Sequence, residues 1–427
     1  MGVLYNIRQI GGAFRYIDAS PLLLRQIKQR MDRMPKFSVV VPSYGNARYL
    51  TACLNSIEAQ SFGDWEAVVV DDASVDGSLE IAREHAKRDC RIRVIEKTEN
   101  GGRHLARMSG VEASSGEYLM FLDADDEFLP GLLSLLDEKL SVDPDVVVHF
   151  GIETAPTEGM SKWEADAFFE SANEPCGELS GNGIVETAFC KRFGFRRDWR
   201  ITQRVFPAAI AKTAFSKMKK MRMQGAEDGY EYFVLACNES REITANEIRG
   251  YLYRIGRGST NERMLDLDGF SSYARSMFDC EIAARDYAEL NGVGAFREPA
   301  SDFGDRLLET LMTDWHERVN SEQKEAAARF AASLFGRGRV AEQLFRIVRD
   351  DAYALWDAGG CLKGDEPFLA WLELADEFKA GSGDESQELS FETQARSHVS
   401  DLRNRTKERS GQGLKSLLKR LVRRLDH

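Results

Sequence analysis

The sequence predicts an α/β fold with a mixed, mostly parallel sheet flanked by helices, followed by an α-helical C-terminal region. Short apolar runs typical of buried strands alternate with helical periodicities through the first 150 residues. This alternation implies right-handed βαβ units. Beyond residue 260, helical periodicities follow one another. A chain of 427 residues has room for two or three domains.

Five strands are predicted in the first 150 residues, at 36–42, 65–72, 92–95, 118–122 and 145–150. Helices are predicted between them from apolar residues at helical spacing. In open α/β sheets, ligands bind beyond the carboxyl ends of the strands. Acidic residues at those ends are therefore candidate site residues.

The fourth strand runs directly into Asp123, Asp125 and Asp126. Three carboxylates at one edge of a sheet destabilise it unless a cation neutralises them. Oxygen ligands suit Mg²⁺ or Mn²⁺, and such an ion usually completes its shell with substrate phosphates. This predicts a metal-bound diphosphate site. The alternative is a solvated acidic turn before a helix predicted from Leu129 to Leu140.

Six short motifs follow one another along the chain: 40–46 (VVPSYGN), 70–78 (VDDASVDGS), Asn100-Gly101-Gly102 with Ala106-Arg107, Gly116-Glu117-Tyr118 leading into Asp123-Ala124-Asp125-Asp126, Glu227-Asp228, and Tyr253-Arg254 with Ser259-Thr260. Their order resembles that of the family-2 inverting glycosyltransferases, which have the Rossmann-like GT-A fold. The resemblance covers about residues Phe37 to Thr260, a little over half of the chain. Each motif is weak alone, but six in the same order give a strong signal.

The resemblance implies a nucleotide site in the first half of the domain. Pro42 and Tyr44 would line the base, and Asp72 would accept a hydrogen bond from a ring N–H of the base. A carboxylate only accepts, which favours a base with a donor edge such as uracil. Arg107 would approach the nucleotide or its diphosphate. The alternatives are a turn-forming Asp72 and a surface Arg107.

The resemblance also implies the groups that carry the chemistry. Asp123 would contact the ribose or metal-bound water, and Asp125 would ligate Mn²⁺ or Mg²⁺. Asp228 would take the proton from the acceptor hydroxyl. Its neighbour Glu227 would contact the acceptor or the metal shell, or raise the pKa of Asp228 as a like charge. The alternative for Asp228 is an ordinary helix cap.

A basic segment ends the resemblance. Arg254 or Arg257 would supply positive charge as the diphosphate leaves. No histidine occurs in this segment, so a third protein ligand for the metal is not evident. An ordinary surface position is the alternative for Arg257.

The resemblance therefore implies metal-dependent, inverting transfer of a sugar from a nucleotide-diphosphate donor, with a UDP-sugar favoured. The acceptor would be a hydroxyl of a glycan, a glycolipid or a cell-surface polymer. One alternative is a non-catalytic protein that binds a nucleotide sugar or serves as a scaffold. The other is a sugar nucleotidyltransferase, which needs a glycine-rich basic loop where this chain has Pro42-Ser43-Tyr44-Gly45-Asn46.

Five segments are predicted along the chain. They are a basic helical segment (1–36), the GT-A domain (37–260), a helical C-terminal domain (261–379), a polar linker (380–396) and a basic amphipathic helical tail (397–427). Aromatic residues of the stretch 151–200 either form core or stack on acceptor sugars. The helical domain would bind acceptor, form a homo-oligomer or support the catalytic half.

The net charge of −12 is unevenly distributed. Residues 1–36 carry +5 and residues 401–427 carry +6, which leaves −23 between them. In the tail, leucines and a valine from Leu414 to Leu425 form one helical stripe, with basic residues largely beside it. Such a helix can lie on an anionic membrane or dock onto protein. No apolar run is long enough to span a bilayer. We expect a cytoplasmic protein, peripheral at the membrane if the tail binds lipid, with no nucleic-acid partner.

Overall fold

The computed structural model describes residues 34–155, 166, 169–170, 172–175, 177–194, 198–257, 264–291, 294–382 and 390–425; of residues 408 and 410–425 it describes the backbone only. These residues divide into two compact units. The first runs to Ile184 and includes Arg200–Lys217 and Asn238–Ile255. The second comprises Val185–Trp199, Met218–Cys237 and the chain from Gly256 onward.

The first unit is built on one mixed sheet. Its strands are β1 (Phe37–Ser43), β2 (Trp65–Asp71), β3 (Ile92–Glu96), β4 (Tyr118–Phe121), β5 (Glu127–Phe128), β6 (Val147–Ala155), β7 (Glu178–Ser180), β8 (Arg204–Pro207) and β9 (Arg241–Arg254). Their spatial order is β3-β2-β1-β4-β8-β6-β9-β5, with β7 paired to β9. Strands β1 to β4 run parallel, β8 is antiparallel to both β4 and β6, and β6 is parallel to β9.

Helices cover both faces of the parallel part, which explains its continuous apolar runs. Val39 and Val41 of β1 pack into the larger core cluster, whereas Val68 and Val70 of β2 pack against Ala106. The helices of this part of the chain are α1 (Leu50–Glu58), α2 (Ser78–Arg88), α3 (Arg103–Ala113), α4 (Leu132–Val142), α5 (Asn182–Phe189), whose last residues belong to the second unit, and α6 (Ala208–Lys217).

The predicted α/β fold with flanking helices is confirmed, and two local details differ. The helix expected from Leu129 begins at Leu132, because Gly131 adopts a positive φ of 83° at its N-cap. Pro42 does not end β1, since it remains in register with Val70 of β2. Pairing with β4 has already stopped at Val40, so the proline removes no hydrogen bond on that side.

The second unit is helical, as predicted for the C-terminal region. Its helices are α7 (Glu227–Ala236), α8 (Leu267–Asn291), α9 (Arg297–Arg318), α10 (Lys324–Phe335), α11 (Arg337–Asp357), α12 (Pro367–Ala380) and α13 (Glu392–Leu425). Phe189 packs edge-on against Phe233 and Phe303, with ring centroids 5.3 and 5.2 Å apart. Part of the aromatic stretch therefore forms core.

The two units do not follow the predicted domain limits. Segments 185–199 and 218–237 fall inside the predicted GT-A domain but group with the helical unit. Their aromatic residues pack on α9, which sequence periodicity cannot reveal. Helix α13 begins at Glu392, inside the stretch predicted as a linker.

The described helices include none with the length and apolarity that crossing a membrane requires. Residues 1–33, most of the predicted basic N-terminal segment, lie outside the described residues. The backbone of α13 is helical to Leu425, as the tail prediction requires. The side chains of the Leu414–Leu425 stripe lie outside the described residues.

Candidate functional site

Three parallel strands of the first unit end at the same edge of the sheet. Ser43 ends β1, Asp71 ends β2, and Asp123 follows β4 after one residue. Tyr44, Asp72 and the acidic turn thus come from neighbouring strand ends. The structure brings these predicted residues to the edge where ligands of such sheets bind.

Asp72 is 2% exposed and holds the loop that leads into α3. Its two carboxylate oxygens accept the backbone N–H groups of Gly101 at 3.1 Å and Gly102 at 2.7 Å. The Nζ of Lys97 lies 3.6 Å from one of them. A carboxylate oxygen can accept more than one hydrogen bond, so a role toward a base is compatible with these contacts and stays a prediction.

The turn after Asp72 is strained. Ala73 has a φ of 63°, and it is the one residue other than glycine with a positive φ among the described residues. Strained backbone of this kind persists where the surrounding structure holds it, and it clusters at ligand sites. The strain lies directly beside the predicted base contact.

Asp123 is bracketed by two arginines of α3. Its carboxylate accepts an N–H of Arg107 at 2.9 Å and one of Arg103 at 3.1 Å. Burial favours the neutral acid, but the charges of Arg107 and Arg103 outweigh it and hold the pKa of Asp123 below its ordinary value. The Arg107 side chain is fully buried and ion-paired, so the alternative of a surface arginine is wrong, while its contact with the nucleotide or diphosphate stays a prediction.

The rest of the acidic turn divides into an inner and an outer part. Asp125 is half-buried, whereas Asp126 is 2% exposed and accepts the Tyr251 hydroxyl and the Arg254 amide, both at 2.7 Å. Burial and the nearby charge of Asp125 raise the pKa of Asp126 well above its ordinary value. Asp126 therefore belongs to the protein interior.

Arg254 reaches the same turn with its side chain. Its Nε and one terminal nitrogen lie 3.0 and 2.6 Å from a carboxylate oxygen of Glu127. The side chain keeps 28% exposure. Arg254 is thus an ion-paired residue at the rim of the acidic turn, where sequence analysis predicted a contact to the diphosphate.

The two residues predicted to line the base, Pro42 and Tyr44, differ in exposure to solvent. Pro42 is buried within β1, whereas Tyr44 is 53% exposed in the loop that follows. The loop is tied to the β2–α2 connection, because the amide of Ala47 donates to Asp76 and the amide of Asn46 donates to the Ser78 hydroxyl, each at 2.9 Å. Tyr44 therefore stands on an anchored loop.

Asp228 and Glu227 lie in the second unit, in the first turn of α7. Ala226 is the N-cap, so the interpretation of Asp228 as an ordinary cap is wrong. Glu227 is 2% exposed and accepts the N–H of Gly225. Asp228 is half-buried at a helix start, where the helix dipole favours negative charge.

Among the described residues, one group of three side chains could hold a metal at close quarters, and it lies in the second unit. It consists of Cys190, Glu298 and Asp302. Arg192 pairs with Glu298 at 2.8 Å, and the amide of Lys191 donates to Asp302. Burial raises the pKa of the Cys190 thiol to about 12, which disfavours the thiolate that binds metals. We assign no site there.

Residues 38–203 match Glycosyl transferase family 2. The similarity to this family is thus established for residues 38–203, which are less than half of the chain. The matched region contains Asp72, Arg107, Asp123 and Asp125, and it ends before Asp228.

Curated proteins similar to this chain carry glycosyltransferase names. Glycosyltransferase GlyA of Streptococcus pneumoniae is 30% identical over 227 residues, which is 52% of this chain and 31% of GlyA. Glycosyltransferase GlyG of the same organism is 26% identical over 265 residues, 59% of this chain and 83% of GlyG. The chain thus spans about a third of the length of GlyA.

Solved structures support the fold. TarS of S. aureus, residues 1–349 in complex with UDP-GlcNAc, aligns with a TM-score of 0.51 at 18% identity, over 81% of this chain and 92% of that one. At this identity the likeness establishes the fold alone. It agrees with the GT-A architecture predicted from the sequence.

Sequence reasoning missed three residues of this edge. Arg103 lies four residues before Arg107, a spacing that puts both on one face of α3, so the pattern was available. Asp126 was named only as part of the acidic turn. Tyr251 carried no signal, because its partner Asp126 lies 125 positions away in sequence.

Proposed function

We propose that the protein transfers a sugar from a nucleotide-diphosphate donor to a hydroxyl of a glycan, glycolipid or cell-surface polymer, with inversion at the sugar carbon. The observation that carries the proposal is the convergence of Asp72, Arg107, Asp123 and Asp125 at the carboxyl edge of a family 2 sheet. Arginines beside carboxylates suit a ligand that brings both phosphates and a divalent cation.

The acidic turn fits a hard divalent cation, Mn²⁺ or Mg²⁺, through Asp125. Its carboxylate is half-buried beside two further acids, so a cation would relieve their repulsion. Asp123 fits a direct ligand less well, because both its oxygens already accept arginine N–H groups. We therefore assign the metal to Asp125, with Asp123 beside it. The bound ion would stabilise the negative charge of the departing diphosphate.

The nucleotide would be held by the groups around β1 and β2. Tyr44 offers an exposed ring and Asp72 an acceptor, while Arg103 and Arg107 face Asp123 with the guanidinium charge that phosphates attract. We favour a UDP-sugar, because Asp72 can accept from a uracil N–H. TarS, which shares the fold, was solved in complex with UDP-GlcNAc, so this donor stands first in a panel.

We assign Asp228 as the base that takes the proton of the acceptor hydroxyl. The assignment rests on the Glu-Asp motif and on the place of Asp228 in the first turn of α7.

One relative in Campylobacter jejuni is named GalNAc(5)-diNAcBac-PP-undecaprenol beta-1,3-glucosyltransferase, at 28% identity over 57% of its length. A lipid-linked acceptor presented at an anionic membrane would suit the basic tail.

Asp228→Asn tests the chemistry. The substitution keeps the size of the side chain and removes the base, so donor binding should persist while transfer falls by about 10²-fold or more. Asp64→Asn is the matched control, since Asp64 is exposed at the amino end of β2. Both variants are compared by calorimetric donor binding and by transfer to an acceptor library.

The outcomes separate the alternatives. Unchanged transfer by Asp228→Asn would remove Asp228 as the base. Donor binding without transfer by the wild type, across all acceptors, would favour the non-catalytic binding protein.

A further inference from the structure

A buried clasp joins the acidic turn to the end of β9. We use the word clasp for Asp126, Tyr251 and the backbone N–H of Arg254. Asp126 accepts the Tyr251 hydroxyl with one oxygen and the Arg254 N–H with the other, both at 2.7 Å. Tyr251 is 1% exposed, and its oxygen lies 3.4 Å from the amide nitrogen of Asp123, which donates to it. One tyrosine thus contacts both ends of the Asp123–Asp126 turn.

Further contacts hold the same two segments together. Strand β5 pairs antiparallel with β9, with Glu127 opposite Leu252 and Phe128 opposite Tyr251. The Arg254 side chain adds its ion pair with Glu127. Asp125 lies between the two anchored ends, so the path of the chain on both sides of it is fixed.

The clasp residues have no room for a direct role toward a ligand. Both oxygens of Asp126 accept protein hydrogens, and the side chain is buried. The Tyr251 hydroxyl is likewise buried and engaged from two sides. A buried carboxylate beside two other acids is unfavourable unless hydrogen bonds compensate for its burial. The hydrogen bonds of Asp126 come from Tyr251 and Arg254, so they compensate for its burial within the protein.

We propose that Asp126 and Tyr251 are positioning residues, which hold the acidic turn in the conformation in which Asp125 binds the metal and the donor diphosphate. The proposal rests on the proposed function for its ligand. It adds that the end of β9, which carries Arg254, is held to the same turn, so the acidic turn and Arg254 depend on one hydrogen-bonded group.

Tyr251→Phe removes the clasp hydroxyl and leaves the ring. The matched control is Tyr118→Phe, which removes another buried hydroxyl of the same sheet, one that donates to the Pro144 carbonyl at 3.0 Å. Tyr251→Phe loses the hydrogen bond to Asp126 and the longer one from the Asp123 amide, whereas Tyr118→Phe loses the one to Pro144. Both variants should therefore lose thermal stability, Tyr251→Phe somewhat more than Tyr118→Phe. Only Tyr251→Phe should weaken Mn²⁺ binding, by ~5-fold for about 1 kcal/mol of lost positioning.

Substitution of Asp126 separates positioning from charge. In Asp126→Asn, the amide oxygen can still accept the Arg254 N–H, and the amide NH₂ can donate to the Tyr251 oxygen. Asp126→Ala removes both links. If positioning is the role, Asn keeps Mn²⁺ affinity within about 2-fold while Ala loses at least as much as Tyr251→Phe. Equal losses for Asn and Ala would show that charge matters, and would overturn the proposal.

Hydrogen exchange decides the matter independently of activity. Peptides covering 119–128 should exchange faster in Tyr251→Phe than in Tyr118→Phe, in protein free of metal and donor. Equal exchange in the two variants would overturn the clasp. A wild-type protein that binds neither Mn²⁺ nor donor would instead contradict the proposed function, and the exchange comparison would still decide whether Tyr251 holds the turn.

Discussion

Replacing Arg107 by methionine tests the electrostatic centre of the site. Arg107 is fully buried, and its guanidinium lies 2.9 Å from the Asp123 carboxylate. Methionine fills a similar volume but leaves a largely buried carboxylate with one cation fewer. Breaking a buried pair by removing one partner costs about 3–5 kcal/mol. Arg103 remains 3.1 Å from Asp123 and offsets part of this, so we expect a loss of ~2–4 kcal/mol.

Arg93→Met is the matched control, because Arg93 also pairs with a carboxylate of the same unit, at 2.7 Å from Glu66, yet keeps 48% exposure. Exposed pairs contribute about 0–1 kcal/mol. Urea unfolding followed by circular dichroism, at pH 7, gives the free energy of unfolding for each variant. A loss in Arg107→Met no greater than that in Arg93→Met would refute the reasoning.

Three further results are expected. Gly110→Ala should lower the free energy of unfolding by roughly 1–2 kcal/mol, because a Cβ there would lie 2.3 Å from a methyl of Val40. In the control Gly63→Ala, the atom nearest to the new Cβ lies 4.0 Å away, so the same urea titration should show a change of less than about 0.5 kcal/mol. Burial alone would raise the pKa of Glu66, but two serine hydroxyls, an amide and an arginine hold it below its ordinary 4.5. The ionised Glu66 therefore contributes to the free energy of unfolding above that pH, and the contribution is lost as the pH falls through the lowered pKa. Glu66→Gln should flatten the acid limb of a curve of stability against pH, and an unaltered limb would contradict this. If the tail binds lipid, Leu421→Glu should reduce co-sedimentation with vesicles rich in anionic lipid, whereas unchanged co-sedimentation would place membrane contact elsewhere.

The strands of the parallel part of the sheet were predictable because their burial is visible within short stretches of sequence. Strands β1, β2 and β4 are buried on both faces and so appear as continuous apolar runs, such as Val39-Val40-Val41. The acids that follow these strands were predictable as site residues for the same reason. The direction of the chain through the sheet places them at one edge.

Strand β8, which pairs antiparallel with β4 and β6, was not predictable from such runs. Strand β8 is four residues long and begins with Arg204, whose fully buried guanidinium pairs with Glu242 of β9 at 2.9 Å. A buried ion pair looks polar in sequence, so periodicity does not identify its strand. The roles of Asp126 and Tyr251 were hidden in the same way, because their contacts join distant positions.

The grouping of Asp228 with the helical unit was also beyond sequence reasoning. The motif around it marks a helix start, which the structure confirms. What draws the segment into the second unit is aromatic packing, in which Phe233 stacks on Phe303 with ring centroids 6.2 Å apart. Apolar spacing predicts that a helix buries a face, and it does not name the partner.

The most direct test of the account is equilibrium binding of UDP-, GDP- and dTDP-sugars, with and without Mn²⁺, to the wild type, to Asp125→Asn and to Asp64→Asn. We predict that the wild type and Asp64→Asn bind one donor, UDP-linked, more tightly with Mn²⁺, and that Asp125→Asn loses this metal-dependent gain while keeping the weaker metal-free affinity. Absence of binding for every donor, or a gain that Asp125→Asn retains in full, would contradict the assignment of a metal–diphosphate site to the acidic turn.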